Sequence, residues 1–217
     1  MSKILSIIKK SPDCLGIAFN SYTDSVTFSR DGVYANRDNP THEFKFTVLP
    51  AGVLDVQAEA IVNSANEDFS PDGGGLNEAL FKAAGKNMIT QIRRENCCEI
   101  AGAKVTGSCY LDNCTFVVHA VPPKWTGVAE DKVKLGRCYL DCFLALSGMS
   151  TAIQAQNSVA FPLLGAGKGG FPPEISAECL LKTMELWQEK GGMPFGVYLC
   201  CYTKEEYDVV MKFLNQK

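Results

Sequence analysis

The chain has 217 residues, 46% of them hydrophobic and 21% charged, which suits one α/β domain with a buried core and is too little for two full domains. A formal charge of -3 and a sequence pI near 5.5 disfavour nucleic acid as the main ligand. No segment reaches the roughly 20 apolar residues that cross a bilayer, so no membrane partner is expected.

Ten cysteines would suggest a disulfide framework in a secreted chain, but Cys200 and Cys201 lie inside an apolar run, and free buried thiols are the expectation. The histidines are His42 and His119 and there is no CxxC pair, so neither a structural metal nor a cofactor is expected. The N-terminal stretch has a short apolar run with no small-residue cleavage site behind it, and a cytoplasmic or otherwise intracellular monomer is the expectation.

In chain order, short β-like runs occur at 14–19, 24–28 and 43–49, broken by Asp, Asn, Gly and Pro. They read as hairpin or edge strands. The pattern then changes to strands alternating with helices. Apolar runs at 60–63, 116–121, 158–164 and 197–202 have the length of buried strands, and helices are predicted at about 76–84, 133–146, 173–188 and 204–214. The economical division is an N-terminal strand extension over 1–44 packed on one domain over 45–217, with a central sheet and helices on both faces.

Two of these strands end in glycine-rich loops that lead toward helices. The first loop carries Asn66, Asp72, Gly73, Gly74 and Gly75; the second carries Gly165, Ala166, Gly167, Lys168, Gly169 and Gly170. In an open α/β sheet, ligands settle at the carboxyl ends of strands, where backbone N–H groups and helix N-termini attract anions. Glycine lets the backbone approach a phosphate without a Cβ in the way. Neither loop matches the Walker A pattern or the dinucleotide fingerprint, which removes ATPase and nicotinamide-dehydrogenase readings.

Together and in order, the strand Ala60-Ile-Val-Asn-Ser-Ala-Asn, the segment Gly73-Gly-Gly-Leu-Asn-Glu-Ala-Leu, the strand Phe116-Val-Val-His-Ala-Val-Pro-Pro and the loop Pro162-Leu-Leu-Gly-Ala-Gly-Lys-Gly-Gly-Phe-Pro resemble the macrodomain family over roughly 45–214. The resemblance implies a three-layer α-β-α fold with a mixed central sheet, and a cleft for ADP-ribose or an ADP-ribosylated protein. It also implies that Asn66 contacts the distal ribose, that Gly73, Gly74 and Gly75 pass close to that ribose and the diphosphate, and that 165–169 supply backbone donors to the phosphates. Tyr202 matches a position that packs on adenine in some members; its alternative is a strand-end side chain covering the core. The alternative for both Asn63 and Asn66 is a residue tying down a turn through side-chain-to-backbone bonds, which is the expectation for Asn63, while a ligand contact is the expectation for Asn66. His119, inside an apolar strand, reads as a core histidine.

Three positions depart from the family's pattern. Gly52 stands where an aspartate usually accepts the adenine amino group, which leaves that anchor to Asp55 or to backbone near Val53. Asn77 stands where hydrolytic members carry an aspartate for the attacking water, and an amide cannot act as a general base. Asp72 is the nearest carboxylate in sequence, as a catalytic group or as a turn former, and an aspartate restored at 77 is expected to raise activity if the water site is otherwise intact. Gly169 stands where an aromatic side chain usually meets the distal ribose, beside Lys168, which either pairs with a phosphate or points to solvent.

The resemblance thus implies a hydrolase acting at the distal ribose C1″ of mono-ADP-ribosylated protein or an acylated ADP-ribose, with Asn66, Asp72 and Asn77 as the candidate catalytic set. The other readings are a non-catalytic ADP-ribose reader, and a diverged member that binds another nucleotide or an RNA end.

Overall fold

The computed structural model describes residues 26–30, 44–72, 74–95, 98–147, 158–189 and 196–216. The β-like run at 14–19, most of the segment 1–44, and Gly73 lie outside them.

Seven strands form one sheet: β1 (Val26–Arg30), β2 (Phe44–Leu49), β3 (Ala60–Ser64), β4 (Ala103–Gly107), β5 (Phe116–Ala120), β6 (Ser158–Pro162) and β7 (Gly196–Cys200), in the order β1-β2-β7-β6-β3-β5-β4. The five inner strands run parallel. The edges are closed by antiparallel pairs, β1 on β2 and β4 on β5. Parallel strands covered on both faces lose the apolar/polar alternation, and the burial of every residue from Ala60 to Asn63 shows it.

The helices are α1 (Gly75–Ala84), α2 (Lys86–Ile92), α3 (Ala129–Ser147), α4 (Pro173–Glu189) and α5 (Lys204–Gln216). Alternate strand residues divide the core between two layers. Val62, Val118, Val159, Phe161, Val197 and Leu199 pack with Leu135, Phe143, Leu180, Met184, Val210 and Leu214 of α3, α4 and α5. Ile61, Val117, Ala160 and Cys200 face the other way, onto Leu80, Phe81, Met88 and Ile92 of α1 and α2. The result is the expected three-layer α/β arrangement with a mixed sheet.

Two elements escape the sequence pattern. β4 is an edge strand with Thr106 as its buried residue, so no apolar run marks it. The seven-residue α2 begins directly after Gly85, whose φ of 75° ends α1, and is too short for a clear helical period. The last strand also stops at Cys200 and not at Tyr202. A capping box ends it: Thr203 Oγ1 accepts from Glu206 N at 3.2 Å, while Glu206 Oε2 accepts from Thr203 N at 3.3 Å and from Tyr202 N at 2.8 Å.

Candidate functional site

β2, β7, β6 and β3 are parallel neighbours, so their carboxyl ends open onto one edge of the sheet. The segments that follow them there are the 3-10 turn Val53–Asp55, the Tyr202 turn, the loop 163–171 and the loop 65–74. The topology therefore brings together every segment the sequence nominated.

The first loop is held from below by amides. Asn66 is exposed, and its Nδ2 donates to the Asp72 carbonyl at 3.0 Å and to Ser70 Oγ at 3.4 Å. Asn77, 4% exposed on α1, donates through Nδ2 to the carbonyls of Ser70 (2.8 Å) and Asp72 (3.4 Å). Those two acceptors fix the amide's orientation and direct Oδ1 at Asn63 Nδ2, 2.9 Å away. Asn63 Nδ2 also lies 3.2 Å from His119 Nδ1, and His119 Nε2 lies 3.0 Å from Thr106 Oγ1, whose hydroxyl donates to Met88 Sδ at 3.1 Å.

Only one proton arrangement satisfies this chain. Asn63 donates to Nδ1, so His119 is neutral, protonated at Nε2, and donates to Thr106. Burial supports the neutral ring by pulling its pKa down to about 4. Phe69, at a φ of 52°, and Phe81 pack on the imidazole with centroids 6.0 and 5.8 Å away. Among the described residues, Asn63 Oδ1 is a buried acceptor that meets no donor. Asn63 thus bonds to side chains and not to turn backbone as expected, Asn66 is the asparagine that ties the loop to backbone, and His119 is a core histidine with both nitrogens engaged.

The second loop is held by hydroxyls. Leu164 N donates to Tyr139 Oη at 3.0 Å, Tyr139 Oη lies 2.7 Å from Ser176 Oγ, and Ser176 Oγ donates to the Leu164 carbonyl at 2.9 Å. The ring closes on one residue, and all three members are buried. Beyond Leu164, a Cβ on Gly169 would stand 2.5 Å from the Gly165 carbonyl oxygen, and one on Gly165, at φ 76°, would stand 2.7 Å from the Phe171 ring. A Cβ on Gly167 would meet nothing within 4 Å. Gly165 and Gly169 are required by the turn itself, whereas Gly167 is not.

The loops approach each other through Lys168, whose Nζ lies 3.1 Å from the point a Cβ on Gly74 would occupy, with Glu78 Oε2 3.8 Å from the same point. Gly74 precedes α1 and Gly75 opens it, so the ammonium stands over a helix N-terminus. The helix N-terminus and the ammonium favour an anion here, and the Glu78 carboxylate is the negative group already beside them. Asp72 is exposed, with its carbonyl engaged by both asparagines.

At the other end of the cleft, a Cβ on Gly52 would stand 2.8 Å from Asp55 Oδ2 and 3.3 Å from the Tyr202 ring. Tyr202 is 81% exposed, so it does not cover the core. Val53 is buried and its carbonyl accepts from Asn113 Nδ2 at 3.4 Å. Cys200 and Cys201 beneath this end have thiols pushed up to about 12 by burial, so neither supplies a thiolate. Among the described residues no group of three His, Cys, Asp or Glu is placed to hold a metal ion, and no helix is long and apolar enough to cross a membrane.

The macro domain family model matches residues 62–180, from β3 to the first half of α4, and so takes in both loops and most of the buried bonds beneath them. This chain belongs to the macro domain family. The O-acetyl-ADP-ribose deacetylase 1 of Pantoea vagans is 32% identical over 178 residues, covering 79% of this chain and 99% of that protein. A macro domain-containing protein of Methanosarcina mazei is 29% identical over 174 residues, with 79% and 89% covered. Among solved structures, a variant of the Oceanobacillus iheyensis macrodomain with ADPR superposes with a TM-score of 0.68 at 18% identity, covering 88% of this chain and 98% of that one. The Trypanosoma brucei macrodomain in complex with ADP-ribose gives 0.64 at 24% identity, with 77% and 68% covered. At those identities the superpositions speak for the fold.

Within the macrodomain, Tyr139, Ser176 and Thr106 were invisible to sequence reasoning, because their partners lie 12 to 37 residues away along the chain. The departure at Gly169 acquires a physical reason, since the backbone there leaves no room for a side chain.

Proposed function

We propose that this macrodomain binds ADP-ribose along the cleft and hydrolyses a bond at its distal ribose, releasing ADP-ribose from an acylated or protein-linked form. The convergence of both glycine loops on the Lys168 ammonium at the α1 N-terminus carries the reading, because it makes a seat for a diphosphate. The naming of relatives as O-acetyl-ADP-ribose deacetylases supports it. In this pose Tyr202 stacks on the adenine and Asp55, beside it, takes the acceptor role that Gly52 cannot supply. Gly74, Gly75 and the amides of 165–169 line the diphosphate.

Asn66 uses Nδ2 within its loop, which leaves Oδ1 as the acceptor for a ribose hydroxyl. Water attacks with Asp72 as its base, the ribose-linked bond breaks, and the proton passes to the departing oxygen. The amide at Asn77, with both ends engaged, favours a second reading in which the cleft recognises ADP-ribose without chemistry.

Titration calorimetry with ADP-ribose, followed by incubation with O-acetyl-ADP-ribose and a mono-ADP-ribosylated protein, separates the two. Acetate or free ADP-ribose should appear with the wild type and fall at least tenfold in Asp72→Ala. Binding without release selects the reader, and absence of binding overturns both.

A further inference from the structure

The polar chain beneath the first loop runs without a break from the Ser70 and Asp72 carbonyls at the cleft to Thr106 on the far edge strand. Each link has a fixed donor and acceptor, so a change at one end must be met by re-aiming the amides along it. The Asp72 carbonyl is shared by Asn66 and Asn77, which ties the exposed asparagine to the buried chain. Asn63 is fully buried, and its Oδ1 meets no donor among the described residues. Its orientation therefore rests on its two donated bonds, to Asn77 and to His119. If the His119 bond is lost, one of the two directors of Asn63 disappears, and the amide can turn its orphaned oxygen toward a donor.

We infer that His119 is a positioning residue for the ligand cleft: by accepting from Asn63 at Nδ1 it holds Asn63 and Asn77 in the orientation that shapes the loop carrying Asn66 and Asp72. Thr106 is the second member of the device. By accepting from Nε2–H it selects the tautomer whose Nδ1 is free to accept. A histidine present only to fill the core would need its bulk and two satisfied nitrogens, and the loop would be indifferent to which nitrogen is kept. The inference rests on the reading that 65–74 faces ADP-ribose, and it makes a distinction that bulk alone does not.

The test uses two substitutions that shorten the ring similarly but keep opposite nitrogens. His119→Asn places an amide oxygen near Nδ1 and retains the bond from Asn63. His119→Gln places its amide near Nε2, retains the bond to Thr106 and loses the one from Asn63. Both are expected to lower the melting temperature. ADP-ribose affinity by calorimetry should stay within about threefold of wild type in His119→Asn and fall about tenfold in His119→Gln, the size of one lost buried hydrogen bond. The backbone amide resonances of 67–72 should follow the same order without ligand, moving in His119→Gln and staying near wild type in His119→Asn.

Equal affinities and equal amide shifts in the two variants overturn the inference and leave His119 as a packing residue. If the wild type binds no ADP-ribose, the functional reading fails, and the amide resonances still decide whether His119 directs the loop.

Discussion

The two loops of the cleft leave neighbouring parallel strands and present glycines to the same space, yet they are anchored by different chemistry. Beneath 163–171, Tyr139 and Ser176 close a ring on Leu164 in which every donor finds an acceptor. Beneath 65–74, three side chains, Asn77, Asn63 and His119, carry the connection, and Asn63 Oδ1 meets no donor among the described residues. An unmatched buried acceptor costs about 1–3 kcal/mol, so the second loop is expected to be the rigid wall of the cleft and the first the one whose shape can be re-set. A hydroxyl can rotate to suit its neighbours, whereas an amide has a donor end and an acceptor end and must choose.

The largest expected effect comes from paired glycine substitutions in the rigid wall. Gly167→Val meets open space and should leave the melting temperature unchanged, while removing ADP-ribose binding by a factor of at least about a hundred if the diphosphate lies against that backbone. Gly169→Val puts its Cβ onto the Gly165 carbonyl and should cost about 3 kcal/mol of stability as well. Unchanged calorimetric affinity in a folded Gly167→Val would move the ligand out of this loop.

The adjustable loop should show itself through pH. His119 titrates near 6.5 when unfolded and at about 4 in the fold, because burial disfavours its charged form. The unfolded chain therefore takes up its proton first. The stability associated with the neutral ring is fully present above pH 6.5 and is lost as pH falls toward 4, by about 3 kcal/mol. Urea midpoints across that range should fall in the wild type and fall less in His119→Asn. Identical slopes would mean that the ring is not kept neutral by the fold.

Asn77→Asp should weaken the macrodomain by about 2 kcal/mol, since a carboxylate would face the Ser70 and Asp72 carbonyls in place of an N–H donor. The family resemblance separately implies a gain of activity from the restored acid where the water site is otherwise intact. Turnover above wild type together with an unchanged melting temperature would favour the sequence-based expectation.

Tyr139→Phe deletes the hydroxyl that joins Leu164 N to Ser176 and should cost about 1–2 kcal/mol, less than the glycine change because the surrounding packing survives. The smallest effect is expected outside both loops. Tyr202→Ala should weaken ADP-ribose by about 1–2 kcal/mol with no loss of stability, as befits a ring that is 81% exposed. A stability loss there would show that the ring braces the fold, contrary to its exposure.

Much of this macrodomain was decided along the chain. The buried runs at β3, β5, β6 and β7 declare parallel strands because both faces of each must be apolar, and the glycine loops follow β3 and β6 at one edge of the sheet, as their order in the chain implied. The edge strand β4 was hidden, since a strand paired on one side needs no continuous apolar run. The roles of individual side chains were legible only where they depend on residue type, as with an amide at 77 that cannot be a base. How His119 and Thr106 come to stand under a loop far from them in sequence is settled by strand order and register. Hydrogen bonds between distant residues depend on angles and distances that no local pattern encodes, so only the folded chain could decide them.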